Sequence, residues 1–262
     1  MMKTESLEKF IKEYSYLYCA ENKFDKKGRV KNEYSNKKIE LLGKRVRLGC
    51  STKEVEQIAY DTIKSTESPC PAITRNHIAW KAGRLKVDKD GKYTWDGKNG
   101  MGNTILNIDS YLEKINENRS DICEVLDNGN IKSAYEKLLE LNIDCGVKQL
   151  GAVYLLTIIF FMSKGKYPIY DKFAHKAAQA IQENKNPSEV SVKPAPDKTS
   201  VRAVMRMYDE YLCLLKDAIG TIELSREQDQ ALWVYGHSKK KFPVSENEND
   251  EKKPFDFDCA AD

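Results

Sequence analysis

Apolar residues recur along most of this chain at the three- and four-residue spacing of a helix face. Leu7, Phe10, Ile11, Tyr14 and Leu17 make one such stripe and predict a helix from residue 6 to about residue 20. Val55, Ile58, Ala59 and Thr62 make a second. Ser51-Thr52-Lys53-Glu54 reads as its start and Ser68-Pro69 as its stop. A third covers 74–85, with Ile78, Ala79, Trp80 and Ala82, and closes near Gly83. Helices follow at 108–115, 120–126, 131–141, 200–219 and 225–237. The last opens on Ser225 with Gln228 three residues later, the reciprocal pairing of a capping box.

Two segments break this rhythm. Residues 86–102 (KVDKDGKYTWDGKNGMG) are rich in Gly, Asp and Lys and predict a short hairpin around Asp90-Gly91. Residues 183–199 carry Pro187, Pro194 and Pro196 and read as a linker. The predicted architecture is mainly α and two-lobed. One lobe joins 1–79 to 200–242 and the other is 80–182. Residues 243–262 form an acidic tail predicted to be disordered. No internal repeat is present.

The longest apolar run, 150–162, is shorter than the roughly 20 residues that span a bilayer, so it reads as a buried core helix with no membrane partner. Charges interrupt the apolar positions of the first fourteen residues, which excludes a signal peptide there. The seven cysteines are odd in number, irregularly spaced and free of any CxxC pair. They support neither a zinc ribbon nor a disulfide framework, and reduced thiols in a cytoplasmic protein fit them best.

Charge is unevenly spread. Residues 23–47 hold ten Lys/Arg against three Asp/Glu, whereas residues 246–262 hold seven Asp/Glu against two Lys. Setting aside the five excess negatives of the tail turns the +3 of the whole chain into +8 for the rest. A basic body suits a polyanion, although a solvated face gives the same count.

The most informative stretch is 147–181, VKQLGAVYLLTIIFFMSKGKYPIYDKFAHKAAQAI. It reads as a turn, an apolar helix, a short Gly/Lys/Pro connection and a second helix opening at Asp171. Pro168 keeps the residue before it out of the helical region. Phe173, Ala174, Ala177, Ala178 and Ile181 make the apolar face, with Lys172, His175 and Lys176 around it. Asp171 is placed to cap that helix, and a helix N-terminus also keeps a carboxylate ionised.

This stretch resembles the helix–hairpin–helix DNA glycosylases, in which a Gly-rich hairpin and a helix precede a Pro-Ile/Val-x-Asp element. Gly151 matches the last hairpin glycine, and Tyr167-Pro168-Ile169-Tyr170-Asp171 matches the aspartate element at the same twenty-residue step. Lys176 stands where those proteins commonly carry arginine. Residues 233–237 (WVYGH) resemble, more loosely, a C-terminal element of prokaryotic proteins with an 8-oxoguanine-glycosylase fold. The hairpin departs from the pattern: Gln149 replaces its first glycine and Lys148 its proline. Val153 stands where bifunctional members carry a nucleophilic lysine, which argues against lyase chemistry. The four-cysteine cluster motif of some relatives is absent, so no iron–sulfur centre or other cofactor is expected.

The resemblance implies a monomeric, monofunctional glycosylase that removes a damaged or modified base from DNA, in repair or in defence against foreign DNA. Asp171 would be the catalytic carboxylate. Gly146, Lys148, Gly151, Lys172 and Lys176 would contact DNA. Trp80, Tyr170, Trp233 and His237 would line the base pocket, with Tyr235 as a further aromatic candidate, and His237 and His175 could donate to the departing base. Each of these aromatic residues also fits an ordinary core position. Two other readings fit the same residues: a DNA-binding protein that keeps the fold without catalysis, and a helical protein-interaction domain.

Overall fold

A computed structural model describes residues 2, 4–18, 53–65, 70–87, 90–238, 241 and 242. The basic segment 23–47, the helix signals at 51–52 and 68–69, and the acidic tail 243–262 lie outside the described residues.

The protein is mainly helical. Its α-helices are α1 (Thr4–Tyr18), α2 (Lys53–Lys64), α3 (Arg75–Lys81), α4 (Ile108–Glu117), α5 (Arg119–Asp127), α6 (Ile131–Asp144), α7 (Ala152–Met162), α8 (Lys172–Gln182), α9 (Val201–Ile219) and α10 (Arg226–Gly236). Two short antiparallel strands, β1 (Lys86–Val87) and β2 (Tyr93–Thr94), pair Lys86 with Thr94 and Val87 with Tyr93. Gly91 sits between them at φ +76°. Residues 183–199 contain a single 3-10 turn, Pro187–Glu189, capped by Asn186.

The helix ends follow local chemistry. Thr74 caps α3 in a reciprocal box with His77, and Gly83 leaves it at φ +62°. Ser225 caps α10 by accepting from the Gln228 N–H. Helix α6 runs three residues past its predicted end, because Ile143 and Asp144 continue the turn until Gly146 provides a left-handed exit.

The chain forms two compact units. One comprises Met1–Lys53, Asp171–Pro194 and Glu210–Asp262; the other comprises Glu54–Tyr170 and Ala195–Asp209. These boundaries differ from the 79/80 and 182/183 divisions suggested by the hydrophobic pattern. Helix α8 packs on α10 and therefore belongs with the chain termini. In the first unit, Phe10 and Tyr14 of α1 pack edge-on against Tyr235 of α10 and Phe242. In the second unit, α7 is buried along nearly its whole length. His77 and Trp80 of α3 meet its Phe161 at 4.4 and 5.4 Å between ring centroids. Among the described residues, no helix is long and apolar enough to cross a membrane.

The thiol expectation needs correction. Cys70 and Cys123 are joined by a disulfide, with Cα atoms 5.9 Å apart. The two are 53 residues apart in sequence and share no motif. Their proximity comes from packing the segment before α3 onto α5. Cys145 and Cys213 are free thiols.

Candidate functional site

Two places hold the sequence-predicted site residues, one in each unit. In the second unit, the connection between α6 and α7 is a compact hairpin. Gly146, at φ +61°, donates its N–H to the Ile143 carbonyl (2.8 Å), and Val147 donates to Asn142 (3.0 Å). This paired arrangement closes the C-terminus of α6. It also means that the Gly146 N–H is spent on that closure and is not offered to a phosphate.

The hairpin carbonyls are held by side chains from three other segments. Asn107 Nδ2 donates to the carbonyls of Cys145 (3.0 Å) and Gly146 (3.4 Å). Asn99 Nδ2 donates to that of Gln149 (3.1 Å), and Lys198 Nζ to that of Val147 (3.1 Å). Leu106 and Lys148 form an isolated antiparallel bridge. Gln149 adopts φ +65°, the left-handed region that favours glycine, at the position where the resembled hairpins carry glycine. Gly151 is the N-cap of α7. Gly146, Lys148, Gln149 and Gly151 are exposed, and Leu150 anchors the turn at 1% exposure.

Trp80 and Tyr170 also belong to this unit, and both are buried. The Trp80 indole N–H donates to Glu56 Oε1 (3.1 Å), and the Tyr170 carbonyl accepts from Lys81 Nζ (3.4 Å).

The first unit gathers Asp171, Lys172, Lys176, Trp233 and His237. Asp171 is half-buried in extended conformation and caps α8, its Oδ1 accepting the Phe173 N–H at 2.9 Å. The His237 ring stacks on Phe173 with centroids 3.5 Å apart and planes 24° from parallel. Trp233 lies 4.3 Å from the same imidazole. Trp233 also packs edge-on against Tyr18 at 5.2 Å. This contact of α10 on α8 is possible because Gly236 has no side chain: the Phe173 backbone occupies the space a Cβ would need.

The His237 Nδ1 lies 2.8 Å from the Trp233 carbonyl oxygen. A carbonyl can only accept, so Nδ1 carries the proton and Nε2 presents a lone pair. Burial pushes the His237 pKa down to about 4, against the Trp233 carbonyl and Asp171, which raise it; Lys176 and Lys172 add to the lowering. At neutral pH this imidazole is therefore uncharged, and Nε2 accepts hydrogen bonds and does not donate them. His175 is buried, its pKa lowered by burial while the Glu210 carboxylate opposes the shift, and its ring lies 5.6 Å from that of Tyr211. Tyr235 is a core residue whose hydroxyl accepts the Phe242 N–H.

Phe173, Asn99, Asn107 and Lys198 were not singled out from the sequence. Asn107 carries one legible sign, an asparagine immediately before a helix; its backbone is left-handed at φ +58°. Among the described residues, no group of three or more His, Cys, Asp or Glu side chains is placed to hold a metal ion. No known protein family, curated protein or solved structure matches the chain.

Proposed function

We propose that the protein is a monofunctional DNA N-glycosylase that hydrolyses the base–sugar bond of a damaged or modified nucleotide. The observation that carries this reading is the setting of Asp171. Its carboxylate is half-buried at the N-terminus of α8, where it accepts the N–H of Phe173, the residue on whose ring His237 stacks. The resemblance of 147–181 to the glycosylase hairpin and aspartate element supports the same assignment.

In this mechanism the target nucleotide leaves the stack. As the bond from C1′ to the base nitrogen breaks, positive charge builds on the sugar and the bonding pair departs with the base. The Asp171 carboxylate stabilises that cation and takes a proton from the water that attacks C1′. Lys148 at the hairpin, and Lys172 and Lys176 on α8, contribute positive charge for the phosphates. Val153 supplies no amine for a covalent imine, so the product is an intact abasic strand.

The hairpin that keeps its turn with Gln149 in place of glycine fits one competing reading, a protein that binds DNA without cleaving it. A single experiment separates the two. Duplexes carrying uracil, hypoxanthine, 8-oxoguanine or an alkylated purine are incubated with wild type and with Asp171→Asn, and free base and alkali-labile sites are measured. Asn caps the helix about as well as Asp, so folding and DNA binding should persist while base release falls by orders of magnitude. Equal release by the variant, or none by wild type on the whole set, overturns the proposal.

A further inference from the structure

The carbonyl face of the α6–α7 hairpin is tied down with unusual completeness, and one of its ties is a cation. Lys198 comes from the segment before α9. Its ammonium donates to Asn142 Oδ1 (2.5 Å), in the last turn of α6, and to the Val147 carbonyl (3.1 Å). Its own carbonyl accepts from the hydroxyl of Tyr135, also on α6, at 3.0 Å. The neighbouring turn is stiffened by Asp197 Oδ1, which accepts from both the Thr199 N–H (2.9 Å) and its hydroxyl (2.6 Å). Lys198 is half-buried and Asn142 fully buried, so this is a made contact and not a surface lysine at rest.

The consequence follows from peptide planarity. The N–H of each residue points opposite to the carbonyl of the residue before it. Holding the Val147 carbonyl inward turns the Lys148 N–H away from Lys198. We infer that Lys198 is a positioning residue: it fixes the hairpin so that the exposed Lys148 side chain stays aimed at a nucleic-acid phosphate, while making no phosphate contact itself. This rests on the hairpin being the DNA-binding element proposed above. The positive charge also stands at the C-terminal end of α6, the negative end of its dipole, where a cation is favoured.

The test uses the full chain and the variants Lys198→Met and Lys148→Ala, with two readouts. The first is amide hydrogen exchange without DNA. A hydrogen bond from a charged donor slows local opening by a factor of about ten or more. Lys198→Met should therefore speed exchange across 146–151 about tenfold, with the interiors of α4 and α7 unchanged. Unchanged or uniformly accelerated exchange overturns the inference. The second is affinity for a short unmodified duplex as a function of salt. Lys198→Met should weaken binding about tenfold at every salt concentration and leave the salt slope intact. Lys148→Ala should reduce the slope by about one. A slope reduced by Lys198→Met would make Lys198 a phosphate contact and overturn the positioning role. If wild type binds no duplex at any salt, the DNA reading of the hairpin falls, and the exchange measurement alone decides whether Lys198 holds it.

Discussion

Gly236 lies directly against the backbone of Phe173. A Cβ on Gly236 would stand 2.6 Å from the Phe173 carbonyl carbon and 2.9 Å from its Cα, and nearer still to the oxygen. Backbone cannot swing aside as a side-chain tip can, so Gly236→Ala must push α10 off α8. The expected cost is about 3 kcal/mol, the upper range for overpacking a close contact. The Phe173–His237 stack should loosen with it. Urea unfolding checks this directly: a midpoint equal to wild type would show that the two helices sit farther apart than described.

Gln149 holds a left-handed conformation that costs an ordinary residue about 1–2 kcal/mol. Glycine there removes the strain but adds roughly 0.5–1 kcal/mol of chain entropy in the unfolded state. Gln149→Gly should therefore stabilise the protein by about 1 kcal/mol or less and leave the hairpin geometry intact. A lower thermal midpoint would mean that the Gln149 side chain makes a contact worth more than the strain.

How far the chain could be read in advance shows in these two positions. The helix faces, the Ser225 cap and the turn at Gly91 were legible because each depends on residues no more than four apart. Gln149 was legible as a departure from a glycine pattern, but not as a strained residue. The Lys198–Val147 tie and the Cys70–Cys123 bond were not legible. Each joins segments about fifty residues apart, and a lysine in a proline-rich stretch or a cysteine without a partner motif carries no local sign. In the site, Asp171 and His237 were picked out individually. Phe173, the ring that His237 stacks on, was read only as part of an apolar face.

Acid should destabilise the protein through its histidines. His77 is buried against Phe161 with Thr62 on its Nε2, and burial lowers its pKa to about 4; His237 is lowered to about 4 as well. Both sit below the 6.5 of the unfolded chain, so the unfolded state binds more protons between these values. The stabilisation is complete above pH 6.5 and is lost as pH falls toward 4. Each histidine should add up to about 1.4 kcal/mol per pH unit to the slope of stability in that window. Denaturant midpoints measured from pH 7.5 to 4 test this; a flat profile would place both rings in contact with water.

Reduction should also matter. The Cys70–Cys123 bond closes a loop of 53 residues, and a cross-link over that span constrains the unfolded chain by about 3–4 kcal/mol. Thermal unfolding with and without reductant, with alkylation of free thiols in denaturant to count them, gives the comparison. An identical midpoint in both conditions would show that the bond contributes nothing to stability.

Asn99 does for one turn what a small scaffold does for a binding loop. It is almost fully buried, and its Oδ1 accepts from the N–H groups of both Met101 and Asn103 at 3.0 Å, while its Nδ2 reaches the hairpin at Gln149. Met101, at the tip, is 78% exposed. Mount and display are thus separate: the geometry resides in residue 99 and the chemistry shown to solvent in residue 101. The tip side chain can be exchanged for a charged, aromatic or hydroxylic one with little cost to folding. Whatever meets this face can therefore be changed by one codon, provided residue 99 remains asparagine.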